Sequence, residues 1–132
     1  MKFWLNRHGR FRFSVIYMHR PLVTCGDSSE NVAVRTRLLP LFISSGVKLV
    51  LGAHMHGYER FEMDGLTWIT SAGGGGALGN IDEGKDRKEC VFRKASGAYH
   101  NATLYTVEPT KLLGKTLGHF GEVKDTFEIA LP

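Results

Sequence analysis

Leu49-Val50-Leu51-Gly52-Ala53-His54-Met55-His56-Gly57-Tyr58-Glu59-Arg60 is an apolar run that stops at two histidines and then turns polar. Val47 to Leu51 has the β-branched and aliphatic content of a short central strand, and the Gly52-Ala53 step permits a close turn at its end. The imidazoles of His54 and His56 therefore belong at the C-terminal edge of a strand. In open α/β sheets ligands collect at that edge. Two imidazoles one residue apart can flank a metal pair where the backbone is turning, so the stretch reads as half of a site.

The same theme occurs upstream. Phe11 to Met18 begins with alternating apolar and polar residues, becomes continuously apolar, and ends at His19-Arg20-Pro21. Pro21 bars a helix and holds His19 extended or in a turn. Gly26-Asp27-Ser28-Ser29 is a loop able to cap a helix. From Glu30 to Ser45 the apolar residues Val34, Leu38, Leu41 and Phe42 follow helical spacing; Pro40 predicts a kink or restart, and Gly46 a C-terminal stop. Strand, helix, strand makes a parallel βαβ crossover, which would bring His19 near His54.

Beyond Arg60, Phe61 to Met63 and Leu66 to Thr70 flank Asp64-Gly65, a strong hairpin signal. The four glycines Gly73 to Gly76 predict either a plain surface loop or backbone that approaches a ligand closely. Leu78 to Ser96 is polar and without periodicity, and reads as an irregular excursion. Tyr99–Val107, Leu112–Leu117 and Val123–Ile129 predict three strands in an antiparallel meander. The fold class is α/β, a βαβ unit followed by mostly antiparallel sheet, in one domain over residues 1–132. Trp68 and Tyr17 fall at core-like strand positions.

The chain has 132 residues, with 17 Lys plus Arg against 13 Asp plus Glu. The excess is mild, no basic run interleaves with aromatics, and nucleic-acid binding is not expected; an anionic small substrate is the easier inference. No apolar stretch reaches membrane-spanning length, so a membrane partner is not expected either. Met1 to His8 lacks the features of a signal peptide, and no compartment is assigned. Cys25 and Cys90 lack the spacing of a zinc ribbon or a thioredoxin motif. Two thiols are preferred for the chain as it stands, and a bridge if the parent protein is exported.

Three histidines at strand ends suit a late first-row metal. Val15-Ile16-Tyr17-Met18-His19-Arg20-Pro21 and Gly52-Ala53-His54-Met55-His56-Gly57-Tyr58-Glu59-Arg60 together resemble the last two metal motifs of calcineurin-like metallophosphoesterases, the Tyr-Glu-Arg tail pointing to the purple acid phosphatase branch. The likeness runs from about Phe11 to Ile129. It implies the C-terminal half of a four-layer αββα sandwich, and a dinuclear hydrolase of phosphoesters in which two metals (Fe, Zn or Mn), about 3.5 to 4 Å apart, clamp the phosphoryl group. Carried over, His19 and His54 bind one metal and His56 the other. Arg20 and Arg60 are candidate phosphate contacts, although a salt bridge is the plainer role for each, with Glu59 a partner for Arg60.

The departures define the expectation further. The family's opening motifs, with the bridging carboxylate, are absent; Gly26-Asp27 and Gly79-Asn80-Ile81-Asp82 have the wrong neighbours and order. The expected partners are a phosphoester substrate and a missing N-terminal half, without which the chain should be inactive. The alternative is a self-standing His-based metal-binding or interaction module. His100 and His119 fall outside the matched positions, and Asn101-Ala102-Thr103 is treated as a chance glycosylation sequon in a strand.

Overall fold

The structure, a computed structural model, describes residues 13–28 and 32–132. The expectations for Phe11, Arg12, Ser29 and Glu30, and His8, lie outside the described residues. The described residues form a mixed α/β domain that is mostly sheet, with one α-helix. None of their helices is long and apolar enough to cross a membrane.

Strand β1 (Val15–Tyr17) leads to helix α1 (Val32–Ser44) and then to β2 (Leu49–Gly52). β1 and β2 pair in parallel, Val15 opposite Leu49 and Tyr17 opposite Leu51, so the expected βαβ crossover is present. β3 (Tyr58–Met63) and β4 (Leu66–Ser71) form the hairpin about Asp64-Gly65. Asp64 (φ 51°) and Gly65 (φ 76°) are both left-handed, the two-residue turn that matches strand twist and that Asp-Gly favours. β5 (Arg93–Gly97) completes a five-stranded sheet of order β1-β2-β4-β3-β5. β6 (Asn101–Val107), β7 (Lys111–Gly118) and β8 (Val123–Ala130) form the predicted antiparallel meander as a second sheet.

Three expectations are corrected. α1 runs through Pro40 without a break. Pro40 and Thr36, whose carbonyl would have been its partner, are both exposed, so water can replace the missing bond. The helix then ends as expected: Gly46 N–H donates to Ile43 O and Val47 N–H to Phe42 O, both at 3.0 Å, the paired bonds of a Schellman cap. The segment 78–96 is not wholly irregular, since it holds a 3₁₀ turn at Lys88–Phe92 and the start of β5. Tyr17 is 85% exposed rather than in the core. It lies on the edge strand, and its alternate neighbour Ile16 takes the inward position.

Adjacent residues of β2 face opposite ways. Val50 packs with Phe42 of α1, Leu22 and Val23 of the loop after β1, and Phe61 and Trp68 of the hairpin. Leu49 packs with Tyr58, Ile69 and, from the meander, Leu112, Phe127 and Ile129. The five-stranded sheet thus buries the helix on one face and the second sheet on the other. Burying both faces explains why β2 reads as a continuous apolar run, and it fixes the strand end that leads to His54.

Candidate metal centre

The parallel ladder continues past its strands. Met18 N–H donates to Leu51 O (2.9 Å) and Ala53 N–H to His19 O (3.0 Å), so the residues that follow both strands leave the sheet in register. The expected meeting occurs: His19 Nε2 lies 3.0 Å from His54 Nδ1, with the rings edge to face. His54 has φ 70°, a left-handed backbone that is uncommon outside glycine and concentrates at functional sites. Its pKa is lowered, first by desolvation and then by the positive charge of Arg20, His19 and His56, against the opposing pull of Asp27. The neutral imidazole that a metal requires is therefore favoured there.

His56 is held separately. Its Nδ1 lies 2.7 Å from the carbonyl of Ala77, to which it donates, leaving Nε2 with the lone pair. This backbone bond sets the tautomer in the way that outer partners orient metal-binding histidines. The glycine run makes it possible: a β-carbon on Gly76 would stand 2.8 Å from His56 Cε1, so only glycine lets the chain pass against the ring. What Gly76 approaches closely is the protein's own His56 ring, while Gly74 and Gly75 are exposed with open space around them, as in a surface loop.

The donor set fits a metal in part. Two nitrogens on one tetrahedral zinc-like ion at about 2.0–2.1 Å stand roughly 3.3 Å apart; His19 Nε2 and His54 Nδ1 are close to that at 3.0 Å, the distance of a hydrogen bond between the two rings. Among the described residues, however, no three His, Cys, Asp or Glu side chains form one ligand group. Asp27 is directed elsewhere: its Oδ2 accepts the Asn80 N–H at 2.8 Å, which links the two acidic segments read as decoys.

The Arg60–Glu59 pairing is corrected. The two are neighbours on β3, so their side chains leave opposite faces of the strand. Arg60 Nε donates to Asp125 Oδ2 of β8 at 2.7 Å, and its Nη1 also meets Glu62. Glu59 is fully buried on the other face, accepting from Thr24 Oγ1 (2.6 Å), the Cys25 N–H (2.8 Å) and Arg93 Nη1 (3.3 Å). It thereby clamps the loop that carries His19.

Burial raises the Glu59 carboxyl pKa, only partly offset by Thr24, the Cys25 amide and Arg93. In the window between its unfolded value of about 4.3 and the raised folded value, the folded state holds more protons than the unfolded one. Its contribution to stability is full below that window and is lost as pH rises through it. Relative to Glu59→Gln, the wild-type chain is expected to lose urea resistance as pH rises above about 4.3, the unfolded value. Unfolding midpoints that run parallel with pH in the two proteins would contradict this.

The preference for two thiols is also corrected, because Cys25 and Cys90 form a disulfide. The loop after β1 and the segment leading into the 3₁₀ turn meet through Gly84 N–H to Cys25 O (2.7 Å) and Arg87 Nη1 to Thr24 O (2.8 Å). Neither contact has a sequence signal. Asn101 does not project as a glycan acceptor: its amide donates to Tyr99 O and Gly57 O, and its oxygen accepts from Ser71.

Fold and site together describe a small mixed α/β domain, mostly sheet, in which the His19 and His54 imidazoles meet at one sheet edge. The chain is similar to a solved structure described as "GAP50 the anchor in the inner membrane complex of Plasmodium", with TM-score 0.82 and 18% identity over 92% of this chain. It spans 37% of that chain's length. No family model matches, and no curated protein does. The family membership implied by the two histidine motifs, in the calcineurin-like metallophosphoesterases and their purple acid phosphatase branch, is corrected accordingly: the matching structure is titled as an anchor. At that identity the likeness is one of fold alone.

Proposed function

We propose that this chain supplies the histidine half of a dinuclear metal site for phosphoester hydrolysis, completed by ligands from outside these 132 residues. The observation that carries the reading is the 3.0 Å approach of His19 Nε2 to His54 Nδ1 at adjacent parallel strand ends. His19 and His54 would hold one ion and His56 Nε2 a second. Such ions (Fe, Zn or Mn) would supply Lewis acidity toward a phosphoryl oxygen and a water made acidic enough to attack near neutral pH. The chain's own part is to fix ring orientation through Ala77 O, through the ladder at Ala53 and through the Glu59 clamp. Arg20, beside His54, would offset phosphate charge. Arg60 is engaged by Asp125 and serves structure. The elements seen would form half of an αββα sandwich.

A second reading, an interaction module without catalysis, has one observation in its favour: the similar solved structure is described as an anchor.

Zinc titration by calorimetry, with an assay on 4-nitrophenyl phosphate, tests both. Zinc is expected to bind the wild-type chain. His54→Ala should weaken binding about 10-fold to 100-fold or more, since loss of an outer partner alone costs that much. No turnover is expected from the chain alone. Failure to bind zinc overturns the half-site. Metal-dependent turnover by the lone chain overturns the need for outside ligands.

A further inference from the structure

Two buried polar groups of β4 are unused by the packing of the sheet. Trp68 is 3% exposed and Thr70 fully buried, yet the Trp68 indole N–H and the Thr70 hydroxyl have no hydrogen-bond partner among the described residues. Buried polar groups are nearly always bonded, to protein or to ordered water. The two side chains leave the same face of β4, and both reach Gly52 of β2, which is paired with Thr70. A β-carbon on Gly52 would stand 3.4 Å from Trp68 Nε1, 3.4 Å from Thr70 Oγ1 and 3.7 Å from the Pro21 α-carbon. The bare glycine thus leaves a small space bordered by two polar atoms, with the loop after β1 as its third wall.

The chemistry of these walls selects the occupant. An indole N–H only donates, so the occupant must accept a hydrogen bond, which a metal cation cannot do; a hydroxyl gives or takes one. Glu59 is fully buried and stands opposite Thr70 on the same face, which disfavours a second acidic group there. Pro21 has no N–H to offer. A small neutral molecule that both accepts and donates meets these conditions, and water is the smallest that does. We propose that one ordered water is bound over Gly52, accepting from Trp68 Nε1 and bonded to Thr70 Oγ1, and that it ties the ends of β2 and β4 to the loop after β1. Gly52 lies two residues before His54 and Pro21 two residues after His19. The Ala53 N–H to His19 O bond, at 3.0 Å, joins the same two segments, so the water steadies the exits of both histidine-bearing strands. The site stands whether or not those histidines bind a metal.

The test is water-selective NMR on the 132-residue chain, read at the Trp68 indole proton. The chain has two tryptophans, and Trp4→Phe leaves the Trp68 signal alone. A bound water transfers magnetisation with opposite sign in the laboratory and rotating frames, whereas proton exchange gives the same sign in both. Opposite signs are expected for the wild-type chain; equal signs, or no transfer, overturn the proposal. Gly52→Ala places a methyl at ordinary contact distance from both polar atoms and should abolish the transfer. Transfer that persists there overturns the location. Thr70→Val should weaken the transfer and speed hydrogen exchange of the Ala53 amide about tenfold, the effect of losing one net hydrogen bond. Thr70→Ser, which restores the hydroxyl, should keep the transfer and the wild-type exchange, and meander amides such as that of Thr116 should exchange as in wild type in both. Equal Ala53 exchange in the Val and Ser variants overturns the tie. Should Gly52→Ala not fold, equal transfer in that same pair overturns the site.

Discussion

Cys90→Ala, or reduction of the wild-type chain, is expected to lower the free energy of unfolding by about 4 kcal/mol in urea titrations. The bridge joins residues 65 apart in sequence, and closing a loop of that length in the unfolded chain removes entropy worth roughly 4 kcal/mol at room temperature. Replacing Cys90, which is only partly buried, leaves the fully buried Cys25 side chain in place and opens no cavity in the core. A loss below about 1 kcal/mol would mean that the contacts around the bridge already hold the two segments together. Those contacts are substantial, as Gly84, Arg87 and Glu59 all bind the Thr24–Cys25 backbone or side chains. The bridge therefore also bears on the proposed metal site, because the loop it fastens begins at His19. Weaker zinc binding by the reduced chain should accompany its lower stability, whereas His54→Ala should weaken zinc without a comparable loss of stability.

What sequence could and could not reveal divides along the range of the interactions. The crossover and the His19–His54 encounter were legible because they depend on local pattern: two apolar runs, a helical repeat between them, and a histidine after each. The Asp64-Gly65 hairpin and the meander were legible for the same reason. β5 was not, because Arg93-Lys94-Ala95-Ser96-Gly97 has no apolar alternation; it is a strand only because β3 offers it an edge. Tyr17 misled because an edge strand has the composition of a central one. The Cys25–Cys90 bridge, the Ala77 carbonyl that orients His56 and the buried partners of Glu59 all arise where distant segments meet. One signal was available and missed: once Tyr58-Glu59-Arg60 is a strand, its alternation forbids the Glu59–Arg60 ion pair. Imidazoles at strand ends gave the character of the site, but the family they suggested did not follow from them.

Asp125→Ala is expected to destabilise the chain by about 3 kcal/mol or more, the lower end of the range for removing one member of a buried ion pair. Arg60 and Asp125 side chains are 10% and 9% exposed. Asp125 also accepts the Tyr58 hydroxyl at 2.8 Å, so one carboxylate satisfies two buried donors from β3 and ties that strand to β8. Its loss strands a guanidinium that cannot shed its charge and removes the carboxylate acceptor of the Tyr58 hydroxyl, which keeps Thr116 of β7 as its neighbour. Glu62 remains beside Arg60 but is nearly half exposed, which is why the lower end is expected. The cost should belong to the unpaired charge rather than to the pair's net value. Arg60→Leu with Asp125→Ala should therefore recover part of the loss, and a double-mutant cycle should give a coupling of about 1 to 3 kcal/mol. Zinc binding at His19 and His54 should be unchanged in the double variant. An Asp125→Ala cost below about 1 kcal/mol would show that water reaches this contact, and loss of zinc binding with the fold intact would return Arg60 to the site.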